Sequence, residues 1–136
     1  MSLEQLRGSA MMEHLVDALG QGKDIGHYGR LTVAMVGHFY LDKHELLQLL
    51  EQGQGASEED LMALVQEVEA RDYNPPTRGQ ILDWQQQQDF PICPHPEDPD
   101  ACNVYQELKL PERVYAQIKE YRAEQFEQEE QAEQHG

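Results

Sequence analysis

From Gly26 to Tyr40 the apolar residues fall so densely on a 3.6-residue period that Tyr28, Val33, Met35, Val36, Phe39 and Tyr40 cover a wide arc. His27, Arg30, Ala34 and His38 take the narrow remainder. Such a pattern predicts a helix that is mostly buried, with a costly polar stripe: a guanidinium and two imidazoles beside a core need partners or an open groove. Ala34 and Gly37 remove bulk next to that stripe, which suits close approach by another chain or a ligand.

Shorter helical patterns flank this one. Residues 2–8 read as a frayed or separate first turn, and Ser9 as the cap of a helix to about Leu19 that buries Met11, Met12, Leu15, Val16 and Leu19. His14 lies on its edge as a boundary residue. After Gly20-Gln21-Gly22 and the central pattern, Asp42 with Glu45 three positions on forms a capping-box signature before Leu46, Leu47, Leu49 and Leu50. Ser57 opens a fourth helix with acid in its first turn and Leu61, Leu64, Val65 and Val68 at helical spacing. Pro75-Pro76 breaks the pattern, Thr77 caps a helix bearing Ile81, Leu82 and Trp84, and a glutamine run ends it. From Phe90 to Asn103, four prolines and two cysteines make a loop that something must hold. Pro111 suits the start of a last helix with Val114, Ile118 and Tyr121 on one stripe. The expected architecture is all-α: five or six short helices with one long structured Pro/Cys loop. Residues 1–122 form one domain and 123–136 an acidic Glu/Gln-rich tail, frayed or disordered.

Charge changes what such a domain would meet. The 136 residues carry 10 Lys and Arg against 26 Asp and Glu, net −16, and most of the acid lies beyond residue 50. That balance argues against a large non-specific DNA-binding surface. It fits a halophile's solvated surface first, then an acidic docking protein or a chain kept soluble by its charge. No stretch reaches the roughly 18–20 apolar residues of a membrane span, and no signal-peptide pattern is visible. A cytoplasmic chain is expected, in which Cys93 and Cys102 are thiols or ligands.

Candidate chemistry is sparse. Cys93, His95 and Cys102 make a partial zinc set lacking a fourth ligand, with two buried thiols as the plainer alternative. No nucleophile–base pair, catalytic carboxylate pair or phosphate-cradling glycine loop stands out, and Ser2, Ser9 and Ser57 read as caps. A non-enzyme is expected.

The order of motifs says more than any one of them. Gly26-His27-Tyr28-Gly29-Arg30-Leu31 opens a buried helix, a Leu-rich helix follows an acidic cap, then come Tyr73-Asn74-Pro75-Pro76-Thr77-Arg78, Phe90-Pro91-Ile92-Cys93-Pro94 and Cys102. Over roughly residues 11–115 this order resembles the C-terminal iron–sulfur domain of the large subunit of archaeal and eukaryotic-type DNA primase. The resemblance implies a mainly helical, non-catalytic domain that binds template and the 5′ end of a primer and helps a catalytic subunit start synthesis. It puts His27 and Arg30 on the nucleic-acid contact surface, where Arg30 would grip phosphate as a fork and His27 would add a donor; Tyr28, His38 and Arg78 are added to them as further candidate contacts. The partners implied are single-stranded DNA or primer–template, and replication proteins.

The same resemblance implies a [4Fe–4S] cluster on four cysteines, of which Cys93 and Cys102 match the third and fourth. Met11 and Thr77 occupy the other two positions, so the expectation is no cofactor, with zinc on Cys93, Cys102 and His14 or His95 as the alternative metal. A further expectation from the comparison of motifs is that the segment by which the large subunit docks its catalytic partner is lacking. The leading expectation is therefore a degenerate, stand-alone nucleic-acid-binding or replication accessory module. The alternative is a protein-interaction adaptor that kept the fold and lost both cluster and nucleic-acid binding.

Overall fold

A computed structural model describes residues 3–71 and 73–115. Among them the chain is all-α, with no strand. Its helices are α1 (Leu3–Leu6), α2 (Ala10–Gly20), α3 (Gly26–Gly37), α4 (Lys43–Glu51), α5 (Glu58–Arg71), α6 (Arg78–Gln85) and α7 (Val104–Glu107). A last helical turn begins at residue 112. No helix of the described residues is long and apolar enough to cross a membrane.

The central pattern becomes the central helix. α3 touches α2, α4, α5 and α6, and six consecutive residues from Thr32 to Gly37 are buried, so its second half faces protein on every side. Ala34, expected on the polar stripe, is fully buried. The close approach that Ala34 and Gly37 invite is made inside the fold: a Cβ on Gly37 would stand 2.9 Å from the Leu46 side chain of α4. α4 in turn packs on α2 and α5. Thr32, buried with its hydroxyl, donates to the Tyr28 carbonyl one turn back at 2.8 Å, which satisfies the group without a tertiary partner.

Local chemistry starts the helices where the sequence places the caps. Ser9 Oγ accepts the Met12 N–H, and Ser57 Oγ the Asp60 N–H. Asp42 with Glu45, and Thr77 with Gln80, close reciprocal capping boxes. Each cap satisfies donors that have no partner within the helix and is worth about 1 kcal/mol. The first turn is not frayed: Leu6 is fully buried and Arg7 reaches Asp17 at 2.7 Å, so α1 is stapled to α2.

The Pro/Cys loop is held at several points. Ile92 is fully buried, the Cys93 N–H donates to Gln85 Oε1 at 2.9 Å, and His14 stacks on Phe90 while its Nε2 lies 2.8 Å from the Pro91 carbonyl oxygen. His14 is thus a clamp rather than a bystander. Downstream, Asn103 caps α7, a helix the sequence pattern misses, and Tyr105 Oη donates to the Pro75 carbonyl. Tyr40 Oη donates to the Lys109 carbonyl and Tyr115 Oη to that of Leu108, so residues 108–115 lie against the end of α3 with Val114 in the core. The acidic tail expected at 123–136, and Ile118 and Tyr121 of the last stripe, lie outside the described residues.

Candidate functional site

The first turn of α3 is built by residues far from it in sequence. Its N-cap position, Ile25, supplies no side-chain acceptor, so the free amides are satisfied from elsewhere. Asp24 Oδ1 accepts the Gly26 N–H at 2.9 Å, and Gln88 Oε1 accepts the Tyr28 N–H at 2.9 Å. Gln88 Nε2 donates to the Ile25 and Phe90 carbonyls at 2.8 and 2.9 Å, tying the helix start to the head of the Pro/Cys loop. Gly26 is required here twice: its φ is +79°, and a Cβ would come within 2.4 Å of the Gln88 amide. The Tyr28 ring stacks on Trp84 at 5.5 Å between centroids and its hydroxyl donates to Gln87 Oε1 at 3.0 Å. The glutamine run that ends α6 supplies struts: Gln87 and Gln88 to the first turn of α3, and Gln85 to the Cys93 amide.

Arg30 belongs to the same hub. Its Nη1 lies 2.9 Å from Asp24 Oδ1 and donates to the Gln54 carbonyl at 3.3 Å, and its side chain is 12 % exposed against 57 % for Asp24. The Asp24 carboxyl is held below the usual carboxylate range, first by the Gly26 N–H and then by Arg30, against the opposing effect of partial burial. Gly55, at φ +99°, lets the 53–56 turn close over this carboxylate: a Cβ there would lie 2.3 Å from an Asp24 oxygen.

Two adjoining clefts open between α3 and α5. One, of about 300 Å³, is lined by His27, Arg30, Ala56, Asp60, Leu64 and Glu67 among others. The second, of about 390 Å³, continues past His27, Leu64 and Glu67 to Leu31, Met35, Tyr73 and Trp84. His27 is exposed at the junction, its ring edge-on to Tyr28.

The expected nucleic-acid contacts are therefore only partly assembled. His27 and Arg30 share a cleft, with Tyr28 behind them. His38 sits at the far end of α3, about 16 Å along the axis, packed against Phe39. Arg78 Nη2 donates to the Pro96 and Asp98 carbonyls at 2.8 and 3.1 Å, which commits it to the Pro/Cys loop.

The metal expectation needs a correction. Cys93 and Cys102 are bonded to each other as a disulfide, not held as thiols or ligands. The reason is local: the loop turns back between them, through a left-handed backbone at Cys102 (φ +64°), bringing the two Cα atoms to 5.8 Å. His95 is exposed with Nδ1 3.8 Å from Glu97, and no group of three or more His, Cys, Asp or Glu among the described residues is arranged to hold a metal. Met11 is buried in the core and Thr77 Oγ1 is occupied by its cap, so with the sulfurs joined these residues do not fit a four-thiolate cluster. No known protein family, curated protein or solved structure matches the chain.

Asp24, Gln54 and Gln88, which organise the site, carry no periodic or motif signal. The sequence says only that a cation on an oily helix needs a partner or an open groove, not that the partner is Asp24.

Proposed function

We propose that the chain is a non-catalytic accessory module of the primase large-subunit kind that works by protein contact rather than by gripping nucleic acid. The observation that carries this reading is the commitment of Arg30: the cation expected to hold phosphate is mostly buried and already neutralised by Asp24. The cleft beside it adds Asp60 and Glu67, so an incoming phosphate would meet net negative charge. With net −16 over the chain, that repulsion is relieved only where salt screens it.

A second reading, nucleic-acid binding at the first turn of α3, is favoured by one observation: His27 and Arg30 line the same cleft, and Asp24 is exposed enough to yield Arg30 to a phosphate. Fluorescence anisotropy with labelled single-stranded DNA and primer–template, in 0.1 M and in 2 M KCl, separates the two. Protein contact predicts no saturable change in either salt. Saturable binding that Arg30→Ala abolishes, with the circular dichroism unaltered, would replace it with the second reading.

A further inference from the structure

We infer that the α3–α5 groove is a seat for a short basic amphipathic helix of another protein; this deepens the protein-contact reading and rests on it. The two clefts share His27, Leu64 and Glu67 and so form one trough. Its walls are helical stripes. On α3 they are His27, Arg30, Leu31 and Met35, spaced i, i+3, i+4, i+8; on α5 they are Asp60, Ala63, Leu64, Glu67 and Val68, spaced i, i+3, i+4, i+7, i+8. The α5 stripe runs about 12 Å, the length of two to three turns of a third helix laid alongside. Recognition of this kind reads apolar anchors one turn apart, and the trough offers half-buried Leu31, Leu64 and Trp84 to receive them.

Charge selects the occupant. Asp60 stands at one end of the trough and Glu67 at its middle, whereas Arg30, the cation on the opposite wall, is neutralised by Asp24. Glu67 has a neighbour in Arg71 at 3.6 Å, but both side chains are more than half exposed, and such a surface pair holds its members weakly. A partner bearing Lys or Arg beside its apolar stripe therefore matches the rim. The chain's own residues 116–136 do not, since they hold six Glu against one Lys and one Arg.

Trp84, the only tryptophan, lines the trough and serves as reporter. The probe is a synthetic fourteen-residue helix without aromatic residues, with Leu at i, i+3, i+4, i+7 and Lys/Arg flanks, titrated beside an acidic twin of the same Leu pattern. The basic peptide is expected to shift Trp84 emission saturably and the acidic one not. Glu67→Lys should weaken the basic peptide by about tenfold or more and admit the acidic twin, while Met62→Ser, at a position outside the trough lining, should change neither. No shift with either peptide, equal binding of both, or indifference to Glu67→Lys overturns the proposal. Response only to a small apolar dye overturns it too, by making the trough a small-ligand cavity. The DNA titration is read separately: negative DNA binding with failed peptides sinks the groove alone, and positive DNA binding sinks the reading beneath it.

Discussion

Removing Asp24 should cost more than its exposed position suggests. Its carboxylate does two jobs, capping the Gly26 N–H and facing the Arg30 guanidinium, both at 2.9 Å. Loss of a cap is worth about 0.5–2 kcal/mol. Breaking a buried ion pair from one side costs roughly 3–5 kcal/mol, and an exposed one about 0–1. Arg30 is mostly buried but Asp24 is more than half exposed, so water reaches the pair and the top of the exposed range, about 1 kcal/mol, applies to the charge alone. Asp24→Ala should therefore destabilise by about 1.5–3 kcal/mol, and Asp24→Asn, which keeps an acceptor for the cap, by about 1 kcal/mol. Urea denaturation at neutral pH measures both. Combining Asp24→Asn with Arg30→Met should recover most of the Asn penalty, because the guanidinium that needed a counter-charge is gone.

The pH dependence has a definite sign. Asp24 has a folded pKa below its unfolded value of about 4. Its contribution is present above that unfolded value and is lost as pH falls through the folded one. The wild-type advantage over Asp24→Asn should accordingly shrink below about pH 4. Equal stability of wild type and Asp24→Asn at pH 7, or a penalty that persists unchanged in the absence of Arg30, would refute the hub as described.

Gly26→Ala should destabilise by about 1–2 kcal/mol from its left-handed backbone alone, and further because the new Cβ displaces Gln88; thermal melts check it. Tyr105 is pushed up to about 12 by burial, so its stabilising effect is complete below its unfolded pKa of about 10 and is lost as pH rises from there towards the folded value; an ultraviolet titration of wild type against Tyr105→Phe should place the difference well above pH 10. Tyr105→Phe, which leaves the Pro75 carbonyl without its donor, should cost about 1 kcal/mol at neutral pH. Cys93 and Cys102 are nine positions apart, and closing so short a loop in the unfolded chain is worth about 2–3 kcal/mol. Thiol labelling should find no free cysteine until a reductant is added, and reduction should lower the urea midpoint.

What could be read from sequence divides by range. Ser9, Asp42, Ser57 and Thr77 announce their helices because a cap acts over three residues. The burial of α3 is equally plain in its composition. The struts are not: Gln88 acts on Tyr28 across 60 positions and Cys93 on Gln85 through a side chain in a run that looks merely soluble. The sequence reads Cys93 and Cys102 as thiols or ligands, and the bridge escapes it because only the path of the loop brings the two together. Leu6 was missed because one buried leucine in a four-residue helix makes no period. At the site, the burial cost expected of the polar stripe falls on Arg30, since His27 is exposed, and periodicity cannot say whether that cost is met by a ligand or by Asp24.

That last ambiguity bears on function, because the same test applies to the other arginines. Arg7 lies on Asp17, Arg30 on Asp24, Arg71 near Glu67, Arg78 on two loop carbonyls, and Arg113 over the Phe39 ring. Four of the five guanidiniums among the described residues are committed within the fold, and Arg71, more than half exposed, is held only weakly by Glu67, so the acid that outnumbers them sets the sign of the outer surface. A motif of Gly, His, Tyr and Arg then has a structural account for three of its members: Gly26 for backbone and clearance, Tyr28 for its stack on Trp84, Arg30 for its pair with Asp24. His27 is the member left facing solvent, at the midpoint of an acid-rimmed trough. A phosphate ligand would have to displace Asp24 and tolerate Glu67, whereas a cationic helix would meet both acids of the rim as they stand. On electrostatics alone, the second asks only that the weak, exposed Glu67–Arg71 pair open, and that difference is why protein contact is proposed ahead of nucleic-acid binding.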